Sequence, residues 1–351
     1  MTSLKNKINS LLIGTAILSG IQCSNEVETR HNIEPTLITE AVPHDTDDPA
    51  IWIHPSDIGQ SLVIGTDKEI GGGVYSFGLD GKIIDSLSLK KVNYPNNVDL
   101  LTQIKTVHDT TDIIAFTERE SHRVRIYSYP SLKAMDGGGF PVFENQTIDS
   151  LKRPMGIAFY RNPRTEESYF FVSRKHGNDG AYIYQYKIHT DTIPFSVEKV
   201  RAFGGFSGEP SEIEALMVDN YHEYLYYSDE AFGIRKYYAD PSKGDAEINI
   251  IGKTGFTEDR EGIALWPTDK KGNGYIIVSN QQDNSFNVYN RRSPHEFIGN
   301  LSLSTTETDG CDLYPDSLNA QFPNGIFIAM SEEKTFHFYD LGLLEEYLKK
   351  E

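Results

Sequence analysis

One pattern returns six times along the chain and limits what it can fold into: an apolar strand, a polar tip, then a second strand with an aromatic residue near its centre. The copies read SLVIGTDKEIGGGVYSF, DIIAFTERESHRVRIYSY, YFFVSRKHGNDGAYIYQY, YLYYSDEAFGIRKYYA, YIIVSNQQDNSFNVYN and IFIAMSEEKTFHFYDL. Their reference tyrosines are Tyr75, Tyr127, Tyr184, Tyr237, Tyr289 and Tyr339, separated by 52, 57, 53, 52 and 50 residues. A unit of that length holds several short strands and cannot bury both of its faces alone. Six such units therefore predict an all-β chain, a six-bladed β-propeller.

A second series keeps the same period. Ahead of each hairpin stands another strand: DDPAIWI, NNVDLL, MGIAFY, EALMV, EGIALW and DGCDLY. In a propeller it is the innermost strand and lines the central channel. Little sequence follows Tyr339, so the last blade lacks a fourth strand of its own; Thr36 to Val42 can supply it and close the ring from the N-terminal side, hiding the sheet edges. Leu341 to Lys350 reads as a short helix. No linker divides the chain, and residues 35–351 form one predicted domain.

The first 22 residues read as an export signal: Lys5 and Lys7 precede an apolar run, Leu11 to Ile21, that is too short for a stable membrane span. Cys23 and a polar tether, residues 23–34, follow. Leu18 to Cys23 resembles a bacterial lipoprotein cleavage site, with its small residues two places early. Lipidation of Cys23 and simple secretion both remain open, so the expected location is periplasmic, outer-membrane lipoprotein or secreted. Only Cys311 is left to pair, which argues against an intrachain disulfide. A formal charge of -18 without a long Lys/Arg block makes nucleic acid and anionic membrane surfaces poor partners. Membrane attachment would come only through a lipid on Cys23, and the expected state is a monomer.

A hairpin returns the chain to the face from which it left. The starts of the innermost strands and the ends of the strands after them should therefore meet at one mouth of the channel. The starts supply Asp48, Asn97, Glu214, Glu261 and Asp309, with Met155 as the exception; the ends supply Lys68, Arg119, Lys175, Glu230, Gln281 and Glu332. Asp47, Asp67, Asp229 and Asp259 are near enough to join. One acid at a strand end commonly serves a turn, and one lysine there is commonly solvated. Here five of six equivalent inner positions are carboxylate or amide, which points to a shared task. Blades one to three bring cations and blades four to six mainly carboxylates. Oxygen donors without Cys or paired His suit hard cations, and a ring of this size favours several Ca²⁺ over Mg²⁺. Three facing cations suit a polyanion, and Arg119 can grip a phosphate bidentately.

At these residues the chain resembles the β-propeller phytases. The matching pieces are DDPAIW from Asp47, GTDK from Gly65, NNVD from Asn96, EDREG from Glu258, TDGCD from Thr308 and FPNGIF from Phe322. They run in order from about residue 40 to 340. The resemblance implies calcium-dependent hydrolysis of phytate, myo-inositol hexakisphosphate, bound as its calcium complex, with a calcium-activated water as nucleophile. It implies phosphate contacts from Lys68, Arg119 and Lys175, and catalytic calcium-bridging acids at Glu214, Glu230, Glu261 and Asp309. The implied metal ligands are completed by Asp47, Asp48, Asp99 and Asp259, with Asp47, Pro49 and Val98 at a structural site. Three positions depart from the family: Met155 replaces a tyrosine, Ala215 a glycine after Glu214, and AMSEEK a Q-D-G-type segment.

Other readings rest on less. Arg30-His31-Asn32 and Lys175-His176-Gly177 echo the R-H-G of histidine acid phosphatases, but one lies in the tether and the other lacks the following Arg and Pro. Gly71 to Gly73 and Gly137 to Gly139 open no helix and read as turns, Cys311 as a small buried residue, and the repeated tyrosines as packing between blades. Two alternatives stay open: a six-bladed calcium-dependent lactonase, which needs one acidic cluster but no three converging cations, and a non-catalytic propeller that binds an anionic glycan or a protein.

Overall fold

The structure, a computed structural model, describes residues 32–177, 180–208 and 211–350. The export signal, Cys23 and most of the tether lie outside the described residues. Among the described residues no helix is long and apolar enough to cross a membrane.

Six four-stranded antiparallel sheets follow one another along the chain. The innermost strands are Thr46–Trp52, Pro95–Lys105, Pro154–Arg161, Leu216–Asp219, Arg260–Pro267 and Cys311–Tyr314. The sixth blade is completed by Leu37–Ile38, which pairs with Phe338 and His337 as its outermost strand. The ladder is two residues long, but Thr39 N–H to the Phe336 carbonyl (3.0 Å) and Val42 N–H to the Lys334 carbonyl (2.9 Å) carry the contact on to Val42. Among the described residues, Asn32 already touches the propeller, its side chain accepting from Ser302 Oγ (2.8 Å), while Ile33 bridges to Leu303. Helix α1, Leu341–Leu348, is capped by Asp340, whose carboxylate accepts the Gly342 N–H.

The hydrophobic core is divided into six clusters, one in each interface between neighbouring blades. Each reference tyrosine belongs to a different cluster: Tyr75, Tyr127, Tyr184, Tyr237, Tyr289 and Tyr339. The repeat is thus a packing unit, in which an aromatic from every third strand fills the wedge beside its blade. Cys311 is buried in the interface of blades five and six, as expected of a small apolar residue.

The two glycine triplets part ways. Gly137 to Gly139 form a turn, but Gly71 to Gly73 lie inside the strand Ile70–Gly78. The correction has a steric reason: the pairing there is bulged, and a Cβ on Gly72 would stand 2.0 Å from the Asp67 carbonyl. Glycine lets the two backbones close up at the edge of the mouth.

Two backbone devices position the mouth. Four inner strands carry one extra residue at their entrance, between Thr46 and Pro49, Pro95 and Val98, Pro154 and Ile157, and Arg260 and Ile263. Such bulges re-aim side chains, and these hold Asp47–Asp48, Asn96–Asn97, Met155 and Glu261. Then, in all six blades, the residue after the second strand donates its N–H back across the mouth: Lys68 to Asp45 (2.7 Å), Arg119 to Tyr94 (3.0 Å), Lys175 to Arg153 (3.0 Å), Glu230 to Glu212 (3.2 Å), Gln281 to Asp259 (3.3 Å) and Glu332 to Thr306 (3.1 Å). Side chains of very different chemistry stand on one repeated backbone frame.

Candidate active site

The acids and cations expected at the mouth do converge. Lys68 Nζ lies 2.7 Å from Asp47 Oδ1 and 2.6 Å from Asp309 Oδ2, so an ammonium from blade one bridges to blade six. Burial works against that charge, but Asp47, Glu214 and Asp309 outweigh it and hold the lysine well above its ordinary pKa. Asn96 donates to Asp47 Oδ2 (2.9 Å) and to Glu214 Oε1, tying blade four to blade one. Gln281 donates to Asp309 Oδ1 (2.6 Å). Asp259 accepts from Gln282 Nε2 (2.9 Å) at the edge of the same group.

Arg119 is held from several sides. Its guanidinium stacks 3.7 Å from the centre of the Tyr94 ring, Nη1 donates to Asn96 Oδ1 (3.2 Å), and Met155 Sδ stands 3.7 Å from the same nitrogen. Glu120 Oε1 lies 3.7 Å from Nε, and Glu120 Oε2 pairs with Arg153 (3.1 Å). Met155 is buried and touches Arg119, so the thioether supports the cation. Lys175 Nζ pairs with Glu212 Oε2 at 2.5 Å.

The acids of blades four to six are short of positive partners. Glu214, Glu230 and Glu261 are each 7% exposed, and Glu230 Oε1 and Glu261 Oε2 have no hydrogen-bond partner. Burial first, then Glu214, Glu212 and Asp259, pushes Glu230 up to about 9. Burial and the neighbouring Glu230, Asp309 and Glu214 raise Glu261 well above the carboxylate range. Asp47 rises to about 7 and Asp309 to about 6, burial again leading and Lys68 opposing. The unpartnered oxygens of Glu230 and Glu261, beside the paired acids, are what a hard divalent cation requires. Glu212, Glu214 and Glu230 each offer an oxygen within 4.8 Å of the others, a spread that Ca²⁺–oxygen distances of about 2.3–2.6 Å can span. The donor set therefore fits calcium.

Not every expected residue stands in this ring. Asp48 and Asp99 turn into the channel, where each accepts a backbone N–H from the next blade: Val98 to Asp48 (3.0 Å) and Phe159 to Asp99 (2.6 Å). Asp312 does the same for Ile51 (2.9 Å), and the three line a narrow cavity of about 140 Å³. Asp67 and Asp229 are fully buried and held by His44 and by Ser207, Ser211 and Arg235. Glu332 is exposed beside Glu307. Conversely, Glu212 and Tyr94 were not singled out in the sequence, and Asn96 only as the start of the NNVD match. Tyr94 and Glu212 occupy equivalent places in the sixfold backbone frame, so extending the aligned repeats two or three residues further upstream would have found them.

The raised carboxyls carry a stability signature. Asp47, Asp99, Asp309 and Asp312 bind protons in the fold up to about 7, 6, 6 and 7, all above the ordinary aspartate value. The folded state thus holds protons that the unfolded chain has already lost, and every tenfold difference in proton affinity between the two states is worth roughly 1.4 kcal/mol. In chelator, this contribution should be complete below the unfolded pKa and be lost as pH rises through 5 to 8. Excess calcium should flatten that fall. Scanning calorimetry over this range checks it, and a melting temperature that rises with pH in chelator would contradict it.

A six-bladed ring with cations from blades one to three and carboxylates from blades four to six at one mouth defines a class: propellers with a charge-sorted, cation-demanding end of the channel. The Phytase family model matches residues 2–337, and the chain belongs to the phytase family. A curated 3-phytase of Bacillus subtilis (strain 168) is 29% identical over 328 residues, 88% of this chain and 81% of the relative. Two solved structures share the fold alone. A chain of the mitotic checkpoint complex aligns with a TM-score of 0.51 at 13% identity, covering 95% of this chain and 99% of that one. BBS1N from its complex with ARL6DN aligns with a TM-score of 0.50 at 10% identity, covering 83% and 77%.

Proposed function

We propose that the protein hydrolyses phosphate monoesters of phytate, releasing inorganic phosphate, in a calcium-dependent reaction of the 3-phytase type. One observation carries this reading: orphaned, buried carboxylates face Lys68, Arg119 and Lys175 across a single mouth. The family match and the 3-phytase relative support it. A lactonase site would have no use for the three cations.

Glu214, Glu230, Glu261 and Asp309 would hold the calcium, with Asp47 and Asp259 beside them. Bound there, it would supply positive charge to the ester's oxygens and lower the pKa of water. Arg119, clamped on Tyr94, keeps a planar edge for a phosphate's paired oxygens. Lys68 sets an ammonium at the meeting of blades one and six, where charge builds up as the ester bond breaks. Lys175 supplies a further positive charge from blade three for a second phosphate of the same substrate. Export, with a lipid on Cys23 or free secretion, belongs to the same reading; the mass of the mature N-terminal peptide tells the two apart.

The test is phosphate release from phytate with calcium and with excess chelator. Chelation is expected to lower the rate at least about tenfold, the scale of losing one charge-stabilising group, and added calcium to restore it. An unchanged rate in chelator, or hydrolysis of lactones only, would overturn the assignment.

A further inference from the structure

The pairing of Lys175 with Glu212 joins the two halves of the mouth. Glu212 is partly exposed, 25% by side chain, and its Oε2 sits 2.5 Å from Lys175 Nζ. The same residue offers an oxygen within 4.8 Å of those of Glu214 and Glu230. Glu230, 7% exposed with Oε1 unpartnered, belongs to that group. Glu212 therefore stands between a phosphate-facing ammonium and a group of oxygens that lacks a cation.

The geometry points to Glu212 as a positioning residue that couples cation binding to anion binding, releasing Lys175 for the substrate only when a divalent cation occupies the acids. This rests on the phytase reading of the mouth. Without the cation, Glu212 neutralises Lys175, and an incoming phosphate must compete with a carboxylate already in place. When a divalent cation settles among Glu212, Glu214 and Glu230, its double charge holds Glu212 more strongly than an ammonium can. It also repels the ammonium a few ångströms away. Lys175 then turns outward as a free cation for a phosphate group. Arg119 needs no such release, because Tyr94, Asn96 and Met155 hold it without a carboxylate at hydrogen-bond distance. The device keeps the site from retaining polyanions that arrive without calcium, and by linkage the substrate tightens calcium binding by the same factor.

Titration calorimetry with myo-inositol hexasulfate, a polyanion without a phosphate ester, tests this in wild type, Lys175→Met, Glu212→Gln and the double variant. Each is measured in chelator and in excess calcium chloride. In chelator Lys175→Met should change the dissociation constant by less than about twofold, whereas in calcium it should weaken binding about tenfold, the size of one lost charge-assisted contact. Glu212→Gln should tighten binding in chelator about fivefold or more, and the double variant should lose that gain. Glu258→Gln, an exposed acid near the same mouth, should give less than about a twofold gain, which separates release of Lys175 from a general loss of negative charge. An equal Lys175→Met penalty with and without calcium, or a Glu212→Gln gain that survives in the double variant, would overturn the coupling while leaving the phytase reading intact. Failure of wild type to bind the hexasulfate even in calcium would sink both.

Discussion

Glu261→Gln is expected to lower turnover on phytate by about a hundredfold or more while making the calcium-free protein more stable. The catalytic loss follows from removing one of the few charges that a cation can use at the centre of the mouth, where electrostatic groups are commonly worth two to three orders of magnitude. The stability gain follows from the same burial. Glu261 is 7% exposed, its Oε2 has no partner, and Glu230, Asp309 and Glu214 oppose its ionisation. An amide keeps the shape, drops the repulsion and can donate to those carboxylates. The gain is expected on the scale of about 1–4 kcal/mol, the upper range found when buried ion pairs give way to neutral side chains. Steady-state kinetics in saturating calcium and calorimetry in chelator give the two readings. Undiminished turnover, or a lower melting temperature in chelator, would refute the role assigned to Glu261. The site holds its charge at the expense of the fold.

Arg119→Ala should raise KM for phytate by one to two orders of magnitude, on the scale of a lost bidentate charge-assisted pair, with kcat within about fivefold. Arg119→Lys should recover little of it. A lysine cannot present the paired donors of a guanidinium, nor lie as a plate on Tyr94, 3.7 Å from the arginine carbon. Rescue by lysine would mean that the site needs only a point charge there. A kcat loss larger than the KM change would move Arg119 from substrate capture to bond cleavage.

Much of this was legible in the chain because a propeller repeats its physics. The reference tyrosines marked six wedges, and each fills a separate core cluster. The acids of the inner strands and the cations after the second strands were legible for the same reason. What the pattern could not say was which way adjacent residues face. Asp47 and Asp48 are neighbours in sequence, yet Asp47 meets Lys68 at the mouth while Asp48 accepts Val98 N–H inside the channel. Alternation along a strand, with one extra residue at the bulge, sends them to different tasks. Glu212 and Tyr94 escaped notice because they precede the apolar runs, and their roles come from contacts between blades. Gly71 to Gly73 misled because glycine marks a close backbone approach within a strand as readily as a turn.

The sixth blade has a consequence for how the molecule is made. Its outermost strand, Leu37–Ile38, waits for Phe338 and His337, about as far apart in sequence as the chain allows. Blades one to five can stack as they emerge, but the circle stays an open crescent until the final hairpin has left the ribosome. Annealing the two ends is then a late, non-local event of the kind that slows folding. A chain truncated only a few residues before Phe338 would keep most of its mouth side chains and lack the clasp that holds them in a ring.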